Sequence, residues 1–118
     1  MRNNQELNVW QQGIELVKIV YLVTKSFPHE ERYGLTSQMT RAAVSIPANI
    51  AEGSSRNSDK DNARFIQIAL GSAFELQTFV VIARHMGWAQ TDKLNDLDLM
   101  LEQEIKMLYS FLRKLGEV

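Results

Sequence analysis

Residues 42–56 read AAVSIPANIAEGSSR, a stretch that combines the apolar spacing of a helix with a central proline, Pro47. Ala43, Ile46 and Ile50 recur at intervals of three and four, which is typical of one face of an α-helix. A proline inside a helix removes a backbone hydrogen bond and costs about 3 kcal/mol or more. We therefore expect the surroundings of Pro47 to offset this cost.

The same spacing continues on both sides of this stretch and predicts four helices and no strand. The expected helices run from about Gln5 to Ser26, from Leu35 or Thr36 to Gly53, from a cap at Ser58 to Met86, and from a cap at Thr91 to the turn before Gly116. Short links make sequential helices neighbours, so the prediction is an all-α, antiparallel up-down-up-down four-helix bundle. One domain is expected over residues 1–118.

The apolar residues also predict which face of each helix is buried. In the first helix we expect a core stripe of Leu7, Trp10, Ile14, Val17 and Tyr21, widened by Leu16, Val20 and Val23. The third helix is apolar around most of its circumference and is expected to be the most buried. Aromatic residues at helical spacing, such as Phe74, are expected in the core. Gly53 is expected to end the second helix in the left-handed conformation.

The composition of the 118 residues excludes several classes of functional site. There is no cysteine, which excludes disulfides, thiolate metal sites and cysteine nucleophiles and fits the cytoplasm, where we expect the protein to act. Neither a signal peptide nor a membrane span is predicted. The 13 Lys and Arg residues and 14 Asp and Glu residues give a net charge of −1, so any binding to nucleic acid has to come from a local basic patch.

Three segments of the sequence resemble one protein family. They are VW at 9–10, FPHEERYGLTSQMTRAAVSIPANIAEGSSR at 27–56 and RFIQIALGSAFEL at 64–76. On these residues the chain resembles the bacterial four-helix-bundle proteins encoded by intervening sequences in 23S ribosomal RNA genes, also described as ribosomal-protein-like. The resemblance covers nearly the whole chain and is most specific at SIPANIAEG and ALGSAFEL.

This resemblance implies a four-helix bundle that assembles as a ring, and it points to a homopentamer. It implies no known catalytic activity and a suspected role with RNA. We therefore expect a non-catalytic, ring-forming protein whose partners are copies of itself and either a structured RNA or an RNA-binding protein. The alternative is a bundle that holds a small molecule or a metal at the junctions between subunits.

A second face of the helix around Pro47 is polar. Its residues recur at intervals of three and four: Gln38, Arg41, Ser45, Asn49, Glu52 and Arg56. One interpretation is a polar seam against a neighbouring subunit, with Pro47 setting the bend that brings the seam into contact. The other is a solvent-exposed face with a tolerated kink. Short Ser and Asn side chains are poor helix formers for a solvated face, which favours the seam.

Glu75 lies within the apolar run of the third helix, where an unpaired carboxylate is costly to bury. We expect it to have a partner, and Arg41 is the first candidate. A helix N-terminus and exposure at a subunit interface are the alternatives. Glu75 is therefore included in the predicted subunit interface.

A small basic cluster lies at the start of the third helix. Lys60 and Arg64 are four residues apart, so they share a face, and Arg56 lies in the connection before them. The free N–H groups of the first helical turn could add contacts to a phosphate. Asp59 and Asp61 interrupt the cluster. It is either a weak, sequence-tolerant RNA contact that a ring would repeat, or an ordinary charged helix start.

An enzymatic function would have to use Glu52 and Glu75, since paired carboxylates can perform acid–base chemistry or hold a metal. The other parts of such a site are missing from the sequence. Di-iron bundle proteins use Glu-x-x-His pairs, and neither His29 nor His85 has a glutamate three residues before it. No phosphate-binding glycine loop or nucleophile motif is found. We therefore expect no catalytic, cofactor-binding or metal-binding residues.

Overall fold

A computed structural model of the protein describes residues 1–117 and contains four α-helices. α1 spans Asn4–Thr24, α2 spans Leu35–Ser54, α3 spans Asp59–Met86 and α4 spans Thr91–Lys114. A short 3-10 turn, His29–Glu31, lies between α1 and α2. The described residues contain no strand, so the prediction of an all-α bundle of four helices is confirmed.

Each helix packs against two others. α1 contacts α2 and α4, and α3 contacts the same two helices. Side chains from all four helices form one core, and among its largest members are Phe111, Leu16, Met39, Ile46 and Leu108. The bundle measures 43 × 24 × 20 Å. Because each helix has only two neighbours, one side of every helix faces solvent along the bundle.

Two of the predicted helix ends are confirmed. The Ser58 side chain accepts a hydrogen bond of 3.1 Å from the Asp61 N–H at the start of α3. Gly87 ends α3 with φ 69°, the left-handed conformation that glycine adopts easily. Thr91, expected as a cap, is instead the first residue of α4, because Gln90 before it already has extended backbone angles (φ −65°, ψ 139°).

The expected left-handed cap at Gly53 is wrong. Gly53 lies inside α2, and among residues 1–117 only Gly87 and Gly116 have positive φ. A Cβ atom on Gly53 would lie 3.0 Å from the carbonyl oxygen of Asn62 and closer still to Asn62 Oδ1. Glycine is therefore needed at this position because the end of α2 comes very close to the start of α3.

The predicted core stripe of α1 is wrong in part. Leu7, Ile14 and Tyr21 are 36%, 38% and 52% exposed. The apolar side chains that are buried on α1 form a different set: Val9, Leu16, Val20 and Val23. α1 thus carries two apolar faces, at positions 7–14–21 and 9–16–23, which lie about 200° apart around the helix. Only one of the two can face the core.

α3 is also less enclosed than expected. Its outer face exposes five large apolar side chains, Ile68, Phe74, Val81, Ile82 and Met86. The prediction that Phe74 lies in the core is wrong because a helix with two neighbours buries only the face between them. By length and composition α3 is the one helix within residues 1–117 that would suffice to cross a membrane, a test that a core helix of a bundle also passes.

Candidate functional site

Pro47 is buried against Gly13 of α1. A Cβ atom on Gly13 would lie 3.3 Å from Pro47 Cβ and 3.4 Å from Pro47 Cδ. The absence of a side chain at Gly13 therefore gives the proline ring room to pack against α1. Burial of the apolar proline ring offsets part of the free-energy cost of the backbone hydrogen bond that α2 loses at Pro47.

Glu104 of α4 reaches the same contact. Its Oε2 lies 3.0 Å from the position that a Gly13 Cβ atom would take. The residue is 0% exposed, and neither carboxyl oxygen has a hydrogen-bond partner within residues 1–117. Burial raises the pKa of Glu104 to about 8, because desolvation disfavours the charged form. At neutral pH this side chain is therefore mainly an uncharged acid.

Glu104 was not predicted as a functional residue, although the sequence contains a signal for it. Glu104 follows Leu97 and Leu101 and precedes Leu108 at intervals of four, three and four. Glu104 therefore occupies a position in the row of α4 residues that faces the core. Glu75 on α3 raised the same question from sequence, but Glu75 is exposed and Glu104 is buried.

A second buried polar contact links the starts of α1 and α3. Glu6 is 0% exposed; its Oε1 accepts a hydrogen bond of 2.7 Å from the Arg2 N–H, and its Oε2 accepts one of 3.0 Å from Asn62 Nδ2. Asn62 is equally buried, and its Oδ1 has no donor within residues 1–117. This contact was not predicted, because Glu6 and Asn62 are far apart in the sequence.

Four of the predicted interface residues line one open groove between α2 and α3, here called the α2–α3 groove. Its volume is about 530 Å³, and its lining residues are Gln38, Arg41, Ala42, Ser45, Ser72, Glu75 and Phe79. Ser72 Oγ donates a hydrogen bond of 2.8 Å to Ser45 Oγ and so joins the two helices at the floor of the groove. Its polar rim is formed by charged and amide side chains that are open to solvent.

Arg41 and Glu75 both line the α2–α3 groove, but no ion pair within 4.0 Å joins them in the described chain. Asn49 and Glu52 lie outside the groove. Asn49 Nδ2 donates hydrogen bonds of 2.8 and 2.9 Å to the backbone oxygen and Oγ of Ser45. The structure therefore brings Ser45, Asn49 and the groove residues together, while Glu52 turns toward Arg56, 3.6 Å away.

The predicted RNA cluster is exposed, but two of its three cations have acidic neighbours. Arg56 lies 3.6 Å from Glu52, and its guanidinium carbon lies 4.6 Å above the centre of the Phe65 ring. Arg64 lies 3.6 Å from Asp61. Lys60 forms no ion pair within residues 1–117. The local positive charge is therefore smaller than three isolated side chains would give.

Two rows of apolar side chains face solvent. The α1 stripe consists of Leu7, Ile14 and Tyr21, and the α3 stripe consists of Ile68, Phe74, Val81 and Ile82. The three residues of the α1 stripe recur every seven positions, which is the repeat of helix-to-helix seams. Exposed apolar rows are typical of surfaces at which another molecule packs, and they are unusual on a protein that acts alone.

The two carboxylates considered for an enzymatic site do not line the same groove. Glu75 lines the α2–α3 groove, whereas Glu52 does not. Within residues 1–117, no group of three or more His, Asp or Glu side chains is placed to hold a metal ion. His29 lies in the 3-10 turn and His85 in the last turn of α3, and both are exposed.

Comparisons with known proteins agree on the fold. A family model described as 23S rRNA-intervening sequence protein matches residues 5–110. A crystal structure of a protein of unknown function from the S23 ribosomal protein family of Bacteroides thetaiotaomicron is similar over 92% of this chain and 98% of its own, with a TM-score of 0.83 and 22% identity. No functionally curated protein matches the sequence.

Proposed function

Because the chain belongs to the 23S rRNA-intervening sequence protein family, we propose that it is a non-catalytic protein that assembles into a ring of identical subunits. The ring offers a multivalent surface to a structured RNA or to an RNA-binding protein, and it acts in the cytoplasm. Five copies form the ring, as the resemblance at SIPANIAEG and ALGSAFEL implies.

Within each subunit the proposed topology is antiparallel, up-down-up-down. Three contacts support it. Near the N-terminus of α1, Gln5 Nε2 donates a hydrogen bond of 3.1 Å to Ser110 Oγ near the C-terminus of α4. After the other end of α1, Ser26 Oγ donates one of 2.8 Å to the Trp88 carbonyl that follows α3. Glu6 and Asn62, near the starts of α1 and α3, also contact each other.

The exposed α1 and α3 stripes are the observation that carries the proposal of assembly. A single bundle needs one apolar face on each helix, and these stripes are additional to the core faces of α1 and α3. They lie on two different helices that do not pack side by side and touch near their starts, through Glu6 and Asn62. Unlike surfaces that pack together from copy to copy make a head-to-tail contact, which closes into a ring when the rotation allows it.

The α2–α3 groove supplies polar contacts for the same interface. Arg41 and Glu75 carry charges that no partner in the described chain neutralises. In the ring, Arg41 of one subunit pairs with a carboxylate of the next, and Glu75 accepts a cation in return. Partly desolvated pairs of this kind fix orientation and partner choice more than they add affinity.

Charge reversal in the groove tests this interface. Arg41→Glu alone, or Glu75→Arg alone, is expected to reduce the mass measured by light scattering toward that of one chain. The double variant restores assembly if the two groups pair across subunits. Lys106→Glu, an equal charge change on the exposed side of α4, is the control and is expected to keep the wild-type mass. Unchanged mass in both single variants contradicts the proposed interface.

A further inference from the structure

Glu104 is a buried carboxyl that the proposed assembly does not use. It lies in the apolar stripe of α4, is 0% exposed and has no hydrogen-bond partner within residues 1–117. A leucine at this position would avoid the cost of burying a polar group. The carboxyl therefore marks a position where the core departs from the simplest apolar packing.

The carboxyl faces the contact between Gly13 and Pro47. Glu104 Oε2 is the atom nearest to the missing Gly13 side chain, at 3.0 Å from the Cβ position, and Pro47 Cβ follows at 3.3 Å. Pro47 has no N–H, so the carbonyl of Ala43 loses its usual helical donor. The Glu104 carboxyl lies beside the proline ring at the same Gly13 position, so its charge state affects the packing of α2 against α1.

On α1, no cation is available to neutralise a charge on Glu104. The buried titratable group of α1 is Glu6, two turns before Gly13, and its oxygens already accept hydrogen bonds. Glu15 and Lys18 are exposed and lie 3.3 Å from each other. α1 therefore offers one further buried carboxyl and no buried positive charge.

The other helices are equally poor in charge around this contact. α2 has no titratable side chain between Arg41 and Glu52, and α3 has none between Arg64 and Glu75. On α4 itself, Glu102 and Lys106 are exposed. A negative charge on Glu104 is thus opposed by burial alone, which raises the pKa of this carboxyl to about 8.

The same turn of α2 connects Glu104 to the α2–α3 groove. Ser45 and Asn49 lie two residues before and after Pro47, about 200° around the helix from it. They face away from Gly13, hydrogen-bond to each other at 2.9 Å, and Ser45 also accepts from Ser72 of α3. A displacement of Pro47 therefore moves the floor of the groove.

We propose that Glu104 is a proton-controlled latch on α2: the uncharged acid packs in the contact of α1, α2 and α4 at Gly13 and Pro47, and loss of its proton loosens this contact. Loosening of this contact shifts Ser45 and weakens assembly at the α2–α3 groove. The effect on assembly rests on the ring proposed above, whereas the effect on packing within one subunit does not.

The test compares wild type with Glu104→Gln, which keeps the size and a hydrogen-bond donor but cannot ionise. Glu102→Gln, an exposed glutamate two residues earlier on α4, is the matched control. Thermal midpoints by circular dichroism and masses by light scattering are measured from pH 6 to pH 9.5 at one protein concentration. We expect the wild-type midpoint to fall by several degrees relative to Glu104→Gln as the pH rises from 6 to 8 and the difference to level off above 8, with Glu102→Gln following wild type. We also expect wild type, but not Glu104→Gln, to dissociate in the same pH range.

Parallel profiles for wild type and Glu104→Gln overturn the latch. A midpoint that falls without loss of mass overturns the link to assembly. A wild type that is monomeric at every pH overturns the ring, and the midpoints still test the latch within one subunit. The ¹³C resonance of the Glu104 carboxyl in wild type gives a reading that needs no variant: an inflection near pH 8 supports the latch, and one near 4.5 overturns it.

Discussion

Gly13 of α1 faces Glu104 of α4 so closely that a Cβ atom at residue 13 would lie 3.0 Å from Glu104 Oε2. The same atom would lie 3.3 Å from Pro47 Cβ on α2. Three helices therefore meet at one glycine. The position explains how a proline and a carboxyl are accommodated inside the same core.

Gly13→Ala is expected to destabilise the fold, because the new methyl group meets the rigid Pro47 ring on one side and Glu104 on the other. Overpacking of this kind costs about 1–3 kcal/mol. Gly71→Ala is the control, since nothing lies within 4 Å of a Cβ atom there, and it is expected to stabilise α3 by about 0.5–1 kcal/mol. Urea unfolding at pH 7 measures both. Equal changes in the free energy of unfolding for the two variants would contradict the close contact at Gly13.

The stability of the protein is expected to depend on pH through Glu104. Its pKa in the folded protein, about 8, lies above the ordinary value of 4.5, so the folded state holds this proton more tightly than the unfolded state. Its contribution is therefore most favourable below pH 4.5, is lost as the pH rises toward 8, and is constant above 8. At pH 7 the loss amounts to roughly 3 kcal/mol.

Glu104→Leu removes the carboxyl group, so comparison with wild type shows how much its ionisation changes the free energy of unfolding. We expect its free energy of unfolding to exceed that of wild type by a few kcal/mol at pH 9, and the advantage to shrink strongly at pH 5, where the wild-type acid is uncharged. Urea unfolding at the two pH values measures the difference. The same difference at pH 5 and pH 9 is incompatible with a raised pKa at Glu104.

Asn62→Ala is expected to destabilise the fold through Glu6. The substitution removes the amide that donates to the buried Glu6 Oε2 at 3.0 Å. A buried group that loses a charge-assisted partner costs about 1–3 kcal/mol or more. In the background of Glu6→Gln the cost of Asn62→Ala should become smaller, because no carboxylate is left unpaired. Additive effects of the two changes in urea unfolding would argue against the contact.

Binding of a structured RNA hairpin is expected to weaken as salt rises, because phosphate contacts release counterions. The triple change of Arg56, Lys60 and Arg64 to Ala should reduce the salt slope by about 1 for each phosphate contact that is lost. Changing Lys106, Arg113 and Lys114 to Ala removes the same charge from α4 and is the control. If the salt dependence of RNA affinity is the same for wild type and both triple variants, then Arg56, Lys60 and Arg64 do not contact RNA and are an ordinary charged helix start.

The helices and their approximate ends follow from the sequence because apolar spacing reports helix formation directly. The choice between the two apolar faces of α1 does not follow from spacing, since Leu7 and Val9 belong to equally good stripes. Gly53 looked like a helix end but is a packing glycine, which depends on the position of Asn62 on another helix. The clustering of Arg41, Ser45 and Glu75 was predicted in part, whereas the pairing of Arg56 with Glu52 reduces a charge that the sequence presented as free.

The mass of the wild-type protein in solution tests the proposed assembly most directly. Light scattering over a dilution series from the millimolar to the low micromolar range should give one discrete species with about five times the mass of a single chain. That species should persist at the lower concentrations, because an interface that covers the α1 and α3 stripes removes apolar surface from water. A mass equal to one chain throughout the micromolar range would contradict the ring and leave the two stripes as exposed surface of a monomer.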